Sequence, residues 1–226
     1  MFQQALAIEK DIGEKSNYAE TLREMGRVWM QQGKLDQARK SFDEALSGQE
    51  QLGEMGSAAE TRLALGELAC NSGRANEAEQ FARAALKVFQ AQNEPHEQIL
   101  AAILLSRSLI EQGKLKDAAA ALEVPLKLAE KNSDLPTRLS LMVADANVVG
   151  ASNDLVRAGR VARRVLAEAP RDLFRLRLEA SLSLGEIQCK GKNVAQGRER
   201  LQEVARAAKE KGFELIVRKA LAAGGW

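Results

Sequence analysis

The sequence predicts an all-α protein, an α-solenoid of about five stacked helical hairpins, and three observations carry that prediction. Small residues return about every forty positions, at Gly26, Gly66, Ser106, Ala146 and Gly185. A second small series follows twelve residues behind, at Ala38, Ala78, Ala118, Ala158 and Gly197, with intervals of 40, 40, 40 and 39 in both. Around these positions apolar residues recur at spacings of three and four, the period of a helix face. A fixed period of this length marks a stacked array. Such arrays bind other molecules along a continuous surface.

The elements follow in chain order. Residues 1–15 read as a lone half-repeat helix, because Phe2, Ala5 and Leu6 stand forty positions before Phe42, Ala45 and Leu46. The chain is therefore expected to begin in mid-unit, as a fragment of a longer protein. The first full repeat, 16–55, places Leu22, Met25, Gly26 and Trp29 on one helix face, turns at QQGKLDQA, and continues with Ala38, Phe42, Ala45 and Leu46. The second, 56–94, turns at NSGRANEA and carries Ala78, Ala82, Ala85 and Leu86; the third, 95–134, turns at EQGKLKDA and carries Leu122 and Leu126. Gly33, Gly73 and Gly113 stand where a helix end needs a left-handed residue. In the fourth repeat, 135–171, Asn153 takes that place, the usual substitute for glycine there, and Ala162 and Leu166 continue the second helix. Pro125, inside a second helix, removes a backbone hydrogen bond and is expected to kink it, with a local change of curvature. The fifth repeat, 172–211, carries Gly185 and Gly197. In the closing segment, 212–226, Phe213, Ile216, Val217, Ala220 and Leu221 form one apolar face with Glu214 and Arg218 turned away, as a terminal capping helix requires.

Packing explains the spacing. Where two helices of a hairpin cross closely, a large side chain forces the backbones apart. The pattern bulky residue, Leu-Gly, aromatic, then Ala, aromatic, Ala is met by Leu22, Met25-Gly26, Trp29, Ala38, Phe42 and Ala45. In this the chain resembles the tetratricopeptide repeat (TPR) family, with a longer period than its usual 34. The match weakens in the last two repeats, where Asp145 and Gln188 stand at apolar positions, Gly197 replaces alanine, and the family's trailing proline appears once, at Pro170. The resemblance implies a right-handed solenoid whose first helices line a concave groove. The closing stretch, LSLGEIQCKGKN followed by GRERLQEVARAAKEKGFELIVRKA, is similar to the TPR tails of large bacterial signalling proteins, which follow serine/threonine kinase or winged-helix domains.

The bulk composition excludes much. With 45% apolar residues in 226 the chain can bury a substantial core, and 33 Lys and Arg against 31 Asp and Glu leave a net charge of +2. That gives no general pull toward nucleic acid or an anionic membrane. No apolar run approaches the roughly 18 residues of a spanning helix, and the N-terminus lacks the pattern of a secretory leader. A cytoplasmic protein is the expectation. Cys70 and Cys189 fall at one repeat position three units apart, too far for a disulfide, and read as thiols in a reducing compartment. His96 is the one histidine, expected in an exposed first turn after Pro95. It makes no usual zinc site with two distant cysteines, and GEMG at 53–56 lacks the Lys-Ser or Lys-Thr of a phosphate loop. No catalytic constellation, metal or cofactor is expected.

What remains are surfaces. The TPR resemblance implies that the groove is lined by the positions flanking each first-helix small residue: Arg23 and Arg27, Leu63 and Glu67, Ile103 and Arg107, Val143 and Asn147, Leu182 and Glu186. Leu63, Ile103, Val143 and Leu182 would form an apolar ladder, or simply pack between neighbouring helices, with positive charge at Arg23, Arg27 and Arg107. A protein or peptide partner with apolar anchors and some acidic residues fits that surface. The paired Lys and Asn of carboxylate-clamping TPRs are absent from these places. A basic stretch, Arg157, Arg160, Arg163, Arg164, Arg171, Arg175 and Arg177, reads either as an ordinary solvated helix or as a site for an anionic partner; without interleaved aromatics nucleic acid is disfavoured. The expected function is a noncatalytic interaction module binding a peptide or helix, a regulatory or scaffolding arm of a larger signalling protein. The alternatives are an oligomerisation device working through Phe2, Leu6 and Ile12, and a ligand-sensing arm of a transcription regulator.

Overall fold

A computed structural model describes residues 2–132 and 134–226, with side chains at all of these except 3, 10 and 130–132. Position 133, inside the expected third repeat, lies outside the described residues. Among the described residues there are twelve helices and no strand. They are α1 (Phe2–Asp11), α2 (Lys15–Gln31), α3 (Leu35–Leu52), α4 (Met55–Asn71), α5 (Ala75–Ala91), α6 (Pro95–Glu111), α7 (Leu115–Asn132), α8 (Leu135–Ala151), α9 (Leu155–Glu168), α10 (Phe174–Lys190), α11 (Val194–Glu210) and α12 (Glu214–Gly224). The fold class is the expected one, all-α with TPR-like hairpins in series. Contacts divide the chain into two compact units, residues 1–108 and 109–226. No helix among the described residues is long and apolar enough to cross a membrane.

The turns repeat twice as often as the sequence suggests. Gly33, Gly73, Gly113 and Asn153 all have positive φ, as expected, and so do Gly13, Gly53, Asn93 and Gly212. From Gly13 to Gly113 a left-handed residue therefore arrives every twenty positions, at each end of every hairpin. The bonds around it are those of a Schellman motif: Gly33 N–H donates to Met30 O and Lys34 N–H to Trp29 O, and the same pair recurs at Gly53 with Glu54 and at Asn93 with Glu94.

In the first unit the hairpin crossings are closed by small residues. A Cβ placed on Gly26 would sit 2.6 Å from the Phe42 ring, and one on Gly66 would sit 2.6 Å from Leu104 and 3.2 Å from Phe81. Ala38, Phe42, Ala45, Ala78, Ala82, Ala85 and Phe89 are fully buried around these crossings. Consecutive hairpins are joined by polar links at one register. Thr61 Oγ1 donates to Gln49 Oε1 (2.7 Å, both buried), and twelve-apart partners one period earlier repeat it, with Thr21 donating to Glu9 at 2.9 Å.

Among the described residues of the second unit, apolar side chains gather in clusters. Leu139, Val143, Val165, Leu176 and Ala180 form one; Ala146, Val149, Ala158, Ala162, Leu184 and Ile187 form the next. Leu178, Leu182, Leu201, Val204, Ile216 and Ala220 form another, which seats α12. In that capping helix Ile216 and Ala220 are buried as expected, but Leu221 is 39% exposed, and Gly224 is buried in its stead. Helix α7 continues through buried Pro125 as one element. Two helix starts in this unit are capped by side chains: Asp134 accepts from Thr137 N–H (2.8 Å) and Asp154 from Arg157 N–H (3.0 Å).

The joints after α9 and after α10 depart from these turns, Gly191 being extended at φ −95°, ψ −152° after α10. Pro170 follows Ala169, which is extended at φ −71°, ψ 117°, so no left-handed cap forms. Arg177 reaches back from α10 instead, donating through Nη1 to Leu166 O (3.0 Å) and Ala169 O (2.6 Å). A guanidinium on the last carbonyls also complements the negative end of the helix dipole.

Candidate functional site

The residues expected to line the groove fall on α2, α4 and α6 in the first unit and on α8 and α10 in the second. Each first helix turns them to a common side because positions 23 and 27, 63 and 67, and 103 and 107 are one helical turn apart. Leu63, Val143 and Leu182 are only 7%, 8% and 8% exposed. Val143 and Leu182 belong to the apolar clusters of their unit, so these three serve the packing between helices. Ile103 is half-buried and keeps part of its side chain at the surface.

Arg23 carries its charge inward. Its side chain is almost covered, pairing with Glu60 of α4, with Glu20 at 3.7 Å and with Glu24 at 3.5 Å. Arg27 is more open and lies 3.5 Å from the same Glu24. Three carboxylates thus surround two guanidiniums, and the positive end expected for the groove is balanced within the fold. The Nε groups of both arginines are enclosed without a hydrogen bond, which fixes the fork on Glu24 by charge alone.

A diagonal rule connects the polar positions. Arg23 on α2 meets Glu60 on α4; Arg107 Nη2 on α6 donates to Asn71 Oδ1 on α4 (2.8 Å); and in the second unit Ser183 Oγ on α10 donates to Asn147 Oδ1 on α8 (2.5 Å). The separations are 37, 36 and 36 residues, one helical turn short of the repeat. In each of these three pairs a first helix grips the next one turn down its length. Glu20, Glu24, Glu60 and Asn71 were absent from the sequence-derived site; the signal for Glu60 and Asn71 was a carboxylate or amide lying one turn short of the forty-residue period, and for Glu20 and Glu24 their closeness to Arg23 and Arg27 on α2. Along the second helices a parallel link runs from Arg39 to Glu77 (2.7 Å) and Asp43 (2.8 Å), whose hydrogen bonds, that of Glu77 first, hold the guanidinium above its ordinary pKa. Tyr18 donates to Glu44 (2.9 Å), and that bond raises the phenol.

After these pairings Arg27, Glu67, Ile103, Arg107 and Glu186 remain half-buried and Asn147 exposed. Arg27, Glu67 and Arg107 form a row of alternating sign, one per first helix. Chemically this surface offers charge-assisted hydrogen bonds beside a modest apolar step at Ile103. No group of three or more potential metal ligands forms among the described residues. Pro95 opens α6 with His96 exposed beside it, Cys70 is buried, Cys189 half-buried, and neither is in a disulfide.

No protein-family model matches this sequence, and no curated protein matches it. Its shape does have solved counterparts. A Rap protein, solved in complex with competence and sporulation factor, is similar over 91% of this chain with a TM-score of 0.75 and 14% identity. The matched part is 57% of the Rap protein's length. A kinesin light chain of Podosopora anserina with nearly identical TPR-like repeats is similar over 87% of this chain and 97% of its own, with a TM-score of 0.60 and 19% identity. A single-substitution variant of that kinesin light chain gives 0.61 over 87% and 96%. At these identities the likeness is one of fold.

Proposed function

We propose that this chain is a noncatalytic protein-interaction module that binds a peptide or helix on the face of its first helices, as the regulatory or scaffolding arm of a larger cytoplasmic signalling protein. What carries the reading is the row Arg27, Glu67 and Arg107 with Ile103 one turn away, which stays part-open on α2, α4 and α6 even with Arg27 beside Glu24 and Arg107 bonded to Asn71. A rigid row of spaced polar groups with one apolar step suits an extended or helical segment, because the scaffold is ordered before the partner arrives. The Rap protein of similar shape was solved with a bound factor, which supports a binding role for the fold. The alternating signs favour a partner with both acidic and basic side chains over a purely acidic one.

The test is a peptide library selected on the wild-type chain, followed by Arg27→Glu combined with Ile103→Ala. The selected peptides should lose about tenfold or more in affinity, roughly 1.4 kcal/mol, with helicity unchanged. Peptides that bind the double variant as tightly as the parent place recognition elsewhere.

A further inference from the structure

The two units differ in charge. Residues 1–108 hold 12 Lys and Arg against 16 Asp and Glu, whereas residues 109–226 hold 21 against 15, together the 33 and 31 of the chain. Much of the second unit's excess lies on α9, a second helix outside the first-helix face. In its fourteen residues it carries Arg157, Arg160, Arg163 and Arg164, all exposed, and a single acid, Glu168.

In the first unit the arginines on and beside the second helices α3 and α5 are neutralised, and on α11 Arg198, Arg200 and Arg206 are interspersed with Glu199, Glu203 and Glu210. Arg39 has Asp43 and Glu77; Arg83 has Glu79 at 2.8 Å; Arg74 has Glu77 at 3.0 Å. On α9 only the ends are served, Arg164 by Glu168 at 2.6 Å and Arg157 loosely by Asp145 at 3.5 Å. No ion pair forms at Arg160 or Arg163 among the described residues. The four helical neighbours of Arg160, one turn before and after, are Val156, Arg157, Arg163 and Arg164. Like charges at these spacings destabilise a helix, and at Arg160 and Arg163 no ion pair among the described residues offsets that cost. Arginine, planar and weakly hydrated, is the cation that grips carboxylates in a two-pronged fashion. Val156, 73% exposed, adds an apolar contact on the edge of the strip.

We propose that the exposed face of α9, centred on Arg160 and Arg163, is a docking strip for an acidic amphipathic helix of another protein. The arginines at 157, 160 and 164 span about 10 Å along the axis at 1.5 Å per residue. A partner helix with carboxylates one turn apart presents the same repeat, and an apolar residue beside them meets Val156. Nucleic acid is the poorer match. The strip has no aromatic side chain for stacking, and Phe174 and Phe213 are turned onto each other at 6.3 Å. Acids at Glu168 and Asp172 also interrupt the basic run.

The experiment uses a fluorescein-labelled alanine-based helix with glutamates at i, i+3 and i+7 and a leucine on the same face. A scrambled peptide of equal composition and a single-stranded thymidylate oligomer of about 20 nucleotides serve as controls. The ordered peptide should bind most tightly and weaken with added salt. Arg160→Glu with Arg163→Glu should reduce its affinity at least about tenfold, and Arg160→Lys with Arg163→Lys, which keeps the charge, should give a smaller loss. Should the Glu pair fail to fold, the Lys pair decides through that loss. Absence of binding, equal binding of the scrambled peptide, tighter binding of the oligonucleotide, or variants indistinguishable from wild type would each overturn the strip. Self-association at low salt that disappears in the Glu pair would transfer the surface to a second copy, and would equally overturn a separate partner.

Discussion

Asp145 shows what the array tolerates in a position built for an apolar side chain. It lies in α8 with only 16% of its side chain exposed, 3.5 Å from Arg157. Burial, which penalises the charged form, pushes its carboxyl above the ordinary range, and the Arg157 charge offsets this only in part. The sign of the stability effect follows by linkage. The folded state holds this proton more tightly than the unfolded chain, so the residue's contribution improves as pH falls through its raised pKa toward about 3.9, the ordinary Asp value. Above that window the buried charge is a cost. Asp145→Asn keeps the shape without the charge and should raise the melting temperature at pH 7, the gain shrinking to nothing below about pH 4. A variant that melts lower than wild type at pH 7 would show the Arg157 contact to outweigh burial. Arg23 and Arg177 make the complementary point, because each spends its charge inside the fold, on Glu60 and on the carbonyls of Leu166 and Ala169.

Between helices, the decisive quantity is how closely two backbones approach at a hairpin crossing, and the fifth hairpin is the tightest against backbone. A Cβ on Gly197 would lie 2.7 Å from Cys189 N and 2.9 Å from Gly185 O, neither of which can rotate away. At Gly66 the nearest obstacle is the end of the Leu104 side chain, a group with more freedom. Alanine is the residue that the other hairpins place here, yet Gly197→Ala should destabilise the protein by about 1–3 kcal/mol through overpacking, measured by urea unfolding, and by more than Gly66→Ala. The departure from the family pattern at Gly197 is therefore a packing requirement. Crossings and turns were legible because each depends on one residue's size or backbone freedom, which is why Gly26, Ala38, Gly33 and Asn153 were found and Asn93 could have been. Pairing was less legible. Whether Leu63 faces solvent or a neighbour, and that Arg23 meets Glu60, depends on how side chains lean between helices 36 or 37 residues apart, which single-helix periodicity does not encode. The Arg177 cap was hidden for the same reason, since it replaces a glycine turn only once Pro170 has removed it.

At the scale of the molecule, close packing within each unit runs between helices adjacent or next-but-one in the chain, as with α2 on α3 and α4, or α10 on α8, α9, α11 and α12. Each unit also buries its own large side chains, Phe42, Leu65 and Phe89 in the first and Leu139, Leu141 and Leu201 in the second. Stability in such an array is a sum of repeat and nearest-neighbour terms, so damage should spread only as far as the next interface. Phe42 offers a severe local lesion, since it is fully buried and its ring lies against Gly26. Phe42→Ala should cost about 3–5 kcal/mol at that crossing. In native-state hydrogen exchange the loss of protection should centre on α2 and α3 and reach α1 and α4, while amides of α10, α11 and α12 keep their wild-type rates. Uniform acceleration across all twelve helices would mean that the chain opens as one cooperative body, and the nearest-neighbour account of its stability would fail. The local outcome has a functional consequence. A surface on α2, α4 and α6 and a strip on α9 could then be stabilised by their partners separately, because the free energy gained at one would be confined to the helices that carry it.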